Sequence, residues 1–220
     1  MTNASGTAFD GTPMSLSRRL LVFSLALSPL TVPRLAAAAD PGAAPAALVQ
    51  RFYDELLAVM KEAKRLSFDQ RYSRLTPAVN RSFDLPLMTR IAIGPGWTQI
   101  AADQQQRLTA AFSRYTVSVY ANRFDDYSGE RFEVEPRAAT NANGIVVNTR
   151  LIKSNGEPVV LNYLLHQDAA GGWKIIDVYL SGTISELATR RSEFASVLQR
   201  GGAEGLVQMI EQRAAALRTG

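Results

Sequence analysis

The 220-residue chain has no cysteine and one histidine, His166. The first absence removes disulfides, thiol nucleophiles and cysteine-type zinc sites. The second removes histidine-rich metal sites and paired-histidine dyads, so a Ser-His-Asp triad would have to use His166. No Gly-x-Ser-x-Gly elbow occurs. No phosphate-cradling loop occurs either, because Gly94-Pro95-Gly96 contains a proline, follows a helical pattern and reads as a turn. A long apolar run is also missing: the stretch Leu20–Leu27 falls well short of the ~20 residues a bilayer-spanning helix needs.

The short apolar stretch has a different meaning. Arg18-Arg19 precede it, Pro29 follows it, and Ala36-Ala37-Ala38-Ala39 stand before Asp40-Pro41. A basic region, a short apolar region and a small-residue cleavage site are the parts of a secretory signal peptide, predicted here over residues 1–39. Ser17-Arg18-Arg19-Leu20-Leu21 approximates a twin-arginine signal, so both general and twin-arginine export stay open, and Met14 is a second candidate start. Removing Arg18, Arg19, Arg34 and Asp10 from the 24 basic and 20 acidic residues leaves 21 and 19, a net charge of +2. These charges are scattered singly, without the basic face of a nucleic-acid-binding protein, and nucleic acid is excluded as a partner. A chain of this length buries an adequate core without disulfides.

Residues 40–47 are rich in Pro, Ala and Gly and read as a flexible segment, with a single domain over 48–220. Val49, Phe52, Leu56, Val59 and Met60 recur at helical spacing and predict a helix from Leu48 to about Arg65. A short helix is expected over Gln70–Val79. Asp84 then caps a helix that Gly94 ends, and Asp103 opens a long helix running to about Tyr127. The pattern next changes to period two, with strands predicted at Arg131–Val134, Ile145–Lys153, Pro158–Gln167 and Trp173–Leu180, joined by short turns. Helices over Ile184–Leu198 and Ala203–Leu217, split by Gly201-Gly202, close the chain. The predicted fold class is α+β: a curved antiparallel four-stranded meander packed by N-terminal and C-terminal helices.

The last two strands are apolar on both faces. Val159, Leu161, Tyr163 and Leu165 oppose Val160 and Leu164, while Ile176, Val178 and Leu180 oppose Trp173, Ile175 and Tyr179. A sheet with one wet face alternates more cleanly. Either helices cover both faces, or the sheet curls around an apolar cavity. Among candidate catalytic groups, His166 reads as a solvent-facing residue beside a turn, and Asp125-Asp126 as a solvated helix end. Asp177 lies inside an apolar strand, with Tyr179 on the same face. It is either a buried carboxylate held by backbone amides or an arginine, or a general base with a raised pKa in an apolar cavity, assisted by Tyr179 and Tyr163. The second alternative is a small isomerase- or hydrolase-like enzyme.

Several stretches resemble one family. Phe83-Asp84-Leu85-Pro86-Leu87-Met88 through Gly94-Pro95-Gly96-Trp97, Gln104-Gln105 followed by Phe112 and Tyr120-Ala121, and Trp173-Lys174-Ile175-Ile176-Asp177-Val178 with Gly182-Thr183-Ile184-Ser185 are similar to the MlaC, or toluene-tolerance auxiliary, family. Arg190-Arg191-Ser192-Glu193-Phe194 and Gly202 to Leu206 extend the likeness, which spans about Leu48 to Leu217. The run Tyr179 to Arg191 resembles the hopanoid-associated branch, HpnM, and Ser181 stands where the phospholipid branch commonly has Glu. The resemblance implies a periplasmic, non-catalytic carrier of one lipid, phospholipid or hopanoid, without cofactor or metal. Its implied partners are an inner-membrane lipid transporter and an outer-membrane acceptor complex. On that expectation the lipid-binding residues are Met88, Ile91, Phe112, Tyr115, Val119, Val147, Leu151, Leu161, Tyr163, Ile176 and Val178.

Overall fold

The computed structural model describes residues 42–141 and 143–219. The predicted signal peptide and its cleavage site near Ala39 lie outside the described residues.

Helix α1 spans Ala43–Glu62, followed by one 3-10 turn at Ala63–Arg65. It begins five residues before Leu48, so residues 43–47 form its first turn and are not a flexible segment; Pro45 and Ala46 are buried there. Proline suits a first turn because its missing N–H has no intrahelical acceptor at that point. The stripe Val49, Phe52, Tyr53, Leu56, Val59 and Met60 is buried as one face. Ser67 opens α2 (Phe68–Ser82) with a reciprocal cap: its hydroxyl accepts from the Gln70 N–H, and the Gln70 side chain accepts from the Ser67 N–H. Pro77 lies inside α2 without ending it. The bond it removes would have run to Ser73, and both residues are on the exposed side, where water replaces it. The buried side, Leu75, Ala78 and Val79, carries the helix through to Ser82.

Asp84 caps α3 (Leu85–Ile93) through the Leu87 N–H at 3.0 Å, and Gly94, at φ 77°, ends it before a 3-10 segment, Gly94–Gln99. Helix α4 covers Ala102–Arg123, with Asp103 inside its first turn and not at the cap. After the sheet, α5 covers Glu186–Thr219 and is broken at Gly202, whose φ of 60° and ψ of −166° are not helical. The expected split is therefore present, although hydrogen bonding runs across it. Arg107 pairs with Glu204 at 2.6 Å and Arg114 with Glu211 at 2.5 Å. A seven-residue step on both helices keeps the same faces together, so the second half of α5 runs parallel to α4.

Among the described residues the sheet is antiparallel and has seven strands: β1 (Arg131–Val134), β2 (Ala139–Asn141), β3 (Gly144–Val147), β4 (Thr149–Ile152), β5 (Pro158–Gln167), β6 (Trp173–Leu180) and β7 (Ile184–Ser185). The four expected strands are there, in the expected order, with two differences. Short strands β2 and β7 are added, and the strand predicted over Ile145–Lys153 is two, interrupted at Asn148. Register is continuous across the interruption, since Val147 faces Tyr163 and Arg150 faces Val160. Side chains replace the ladder there: the Thr149 N–H donates to the Asn162 side chain at 3.2 Å, and the Thr149 hydroxyl donates to the Leu161 carbonyl. A second irregularity lies between β5 and β6. Leu164 faces Asp177 and Leu165 faces Ile175, which leaves Ile176 without a partner as a bulge. Breaks of this kind bend a sheet. The result is a curled half-barrel with helices laid against it.

Candidate functional site

The sheet and helices meet on a cluster of rings. Phe52 stands edge-on to Phe83 and to Tyr120, both at 5.2 Å between centroids, and Tyr53 stacks on Phe132 at 4.1 Å. Beneath it runs a buried polar chain. The Thr149 hydroxyl spends its one proton on the Leu161 carbonyl, so Tyr53 is the donor in the 2.6 Å Tyr53–Thr149 bond. Tyr163 stands edge-on to Tyr53, with ring centroids 5.6 Å apart. Burial pushes the Tyr53 phenol up to about 12 despite the hydrogen bonds that work against it. Burial also raises Tyr163 far above the ordinary value, and raises Tyr120 against the opposing charge of Arg123. Burial thus holds all three as neutral hydroxyls.

On this cluster opens a cavity of about 110 Å³, partly continuous with solvent. Its walls are Phe83, just after α2; Met88 from α3; one face of α4; Leu161 and Tyr163 from β5; Val178 and Leu180 from β6; and the first turns of α5. The α4 face is Phe112, Tyr115, Thr116, Val119, Tyr120 and Arg123, an unbroken three- and four-residue stripe, with Phe124 just beyond. The lining is largely apolar. Its charged side chains are Arg123, Glu186 and Arg190. Arg190 is mostly buried, lies 3.3 Å from both Glu186 and Glu193, and stacks its guanidinium 5.2 Å from the Tyr115 ring centroid. Glu193 also pairs with Arg213 at 2.6 Å. Burial pushes the Glu193 carboxyl up, but Arg213 and Arg190 together hold it below its ordinary value.

Seven of the residues expected at a site line this cavity: Met88, Phe112, Tyr115, Val119, Leu161, Tyr163 and Val178. Four lie elsewhere. Val147 is fully buried in the core, where β3 packs on α1, and Leu151 is half-buried on β4 between Phe132 and Val159. Ile91 and Ile176 line a separate hollow with Asp177 and Tyr179. The bulge explains Ile176, because one extra residue shifts the period-two parity that would have put it beside Val178.

Asp177 faces away from the cavity by ordinary alternation with Val178, on the same side as Tyr179. Its carboxylate accepts from the Val178 N–H (2.8 Å), the Ser185 hydroxyl (2.5 Å) and the Leu187 N–H (3.2 Å). It therefore anchors the start of α5 to β6, as in the first of the two readings of this buried carboxylate. His166 is not solvent-facing as expected. It is half-buried, with Nε2 2.9 Å from Asp84 Oδ2, so it ties β5 to the cap of α3. Among the described residues no cluster of three potential metal ligands occurs, and no helix is long and apolar enough to cross a membrane.

Phe83, Thr116, Tyr120, Arg123, Phe124, Leu180, Glu186, Leu187 and Arg190 were not foreseen in the lining. The α4 members continue the spacing of Phe112, Tyr115 and Val119 and were open to discovery by extending that stripe. The α5 members come from a distant segment that only folding brings near.

Fold and site together define the class: an α+β half-barrel built around an apolar cavity. The family model described as MlaC protein matches residues 50–212, and the chain belongs to that family. A solved structure, that of the phospholipid-binding protein from Ralstonia solanacearum in complex with a phospholipid, matches with a TM-score of 0.68 and 29% identity. The match covers 79% of this chain and 98% of that one. No curated protein matches the chain.

Proposed function

We propose that the protein is a non-enzymatic lipid carrier that takes one lipid into this cavity and moves it through the periplasm between inner and outer membranes. An inner-membrane transporter and an outer-membrane acceptor are its exchange partners, and the N-terminal leader directs its export. The observation that carries the reading is the largely apolar, side-chain-lined cavity at the centre of the half-barrel. Each methylene it buries contributes about 0.8 kcal/mol, so acyl chains are held without directional contacts. Family membership and the phospholipid bound in the Ralstonia solanacearum protein support the same reading. The hydrogen bonds that occupy Asp177 speak against its use as a general base.

Mass spectrometry of lipid extracted from the purified protein tests this, with Val119→Trp as the control. A bulky ring at Val119 on the α4 wall fills the cavity and is expected to lower lipid content at least tenfold while leaving the circular dichroism spectrum unchanged. Wild-type protein without lipid, or equal lipid in both proteins, would overturn the reading. The same spectrum separates phospholipid from hopanoid cargo.

A further inference from the structure

The charges in the cavity wall are unequally matched. Arg190 is neutralised by Glu186 and Glu193, each at 3.3 Å. Arg123 lies at the last turn of α4, exposed, and its side chain makes no ion pair or hydrogen bond among the described residues, yet it contributes to the lining. The lining thus holds two arginines against one glutamate, Glu186, and the one unmatched charge is the guanidinium of Arg123. It sits where solvent meets a largely apolar chamber. A ligand whose apolar part fills that chamber would leave its polar end at this boundary, within reach of a cation that has no competing carboxylate.

We propose that Arg123 binds the phosphate of the cargo's headgroup, so that the cavity selects phosphate-bearing lipids over neutral lipids with the same chains. This rests on the carrier reading. A guanidinium presents paired N–H donors that match two phosphate oxygens, whereas a neutral glycerol hydroxyl gains nothing from its charge. The Arg190 carboxylate partners add to the discrimination, because they leave that arginine unavailable and make Arg123 the sole anion contact.

The test uses delipidated protein incubated with vesicles of equimolar phosphatidylglycerol and diacylglycerol carrying identical acyl chains, followed by mass spectrometry of the lipid recovered with the protein. Wild type should load phosphatidylglycerol about tenfold over diacylglycerol, the discrimination expected of one hydrogen bond to a charged group. Arg123→Gln should bring the ratio near one without lowering diacylglycerol uptake, and Arg123→Lys should restore most of the preference. An unchanged ratio in Arg123→Gln overturns the proposal and leaves the carrier reading intact, whereas uptake of neither lipid by wild type overturns the carrier reading. Excess inorganic phosphate should leave phosphatidylglycerol loading unchanged. If it reduces loading to the diacylglycerol level, the site is one for free phosphate and the headgroup assignment fails.

Discussion

Replacing Asp177 separates its structural role from a catalytic one. Its side chain is only 7% exposed and joins three donors, two of which belong to the segment that starts α5: the Ser185 hydroxyl and the Leu187 N–H. The third, the Val178 N–H, is its neighbour in the chain and contributes less. A hydrogen bond to a charged acceptor contributes about 1.5–3 kcal/mol, and a buried donor left unmatched costs about 1–3 kcal/mol. Asp177→Ala strands both α5 donors, although Ser185 still accepts from the Ala188 N–H at 2.9 Å. The expected loss is about 3 kcal/mol. Asp177→Asn keeps one acceptor oxygen and should cost about half as much. At about 2–4 °C per kcal/mol for a chain of this size, the midpoint of thermal unfolding should fall by about 6–12 °C for Ala and about half that for Asn. Circular dichroism melts measure this, with lipid content determined in parallel below the transition. A melting temperature within about 1 °C of wild type in Asp177→Ala would refute the anchoring argument. Unchanged stability with lost function would revive the catalytic one.

The buried tyrosines make alkaline stability a second test. The sign follows from a folded-state pKa raised from 10.0 to about 12 at Tyr53: the neutral phenol is favoured in the fold, so its stabilisation is complete below pH 10 and is lost as pH rises toward 12. Denaturant unfolding at stepped pH should show level stability up to about pH 10 and then a fall of about 1.4 kcal/mol per pH unit for each such tyrosine. Tyr53→Phe should lose about 1 kcal/mol near neutrality and show a shallower alkaline slope; an unaltered slope would contradict the assignment. At the break in α5, Gly202→Ala forces a side chain into a region of backbone space that only glycine occupies freely and should cost about 1–3 kcal/mol. Gly201→Ala has open space around it and should be neutral or slightly stabilising in the same denaturant titration. Equal effects at the two glycines would contradict the break.

Local chemistry made much of the architecture legible in the sequence. Asp84 and Gly94 bound α3 as their residue types require, the period-two runs are strands, and Gly202 breaks the last helix. These features depend on neighbours within a turn or two of chain, which is why one sequence suffices to read them. The stripe on α4 is of the same kind: Phe112, Tyr115 and Val119 face the cavity because helical spacing puts them on one side. The strand faces were undecided, since alternation alone cannot distinguish a fully covered sheet from one curled round a chamber. Tertiary structure decided that. The side-chain bridges at Thr149 and the bulge at Ile176 bend the sheet, and the bulge carries Ile176 away from Val178. No local rule places a bulge, because it is set by how two strands distant in sequence must pair. The meeting of Arg190 with Tyr115 is likewise a consequence of packing α5 on α4. Helices, strands and caps were thus written locally, while the cavity came from long-range packing.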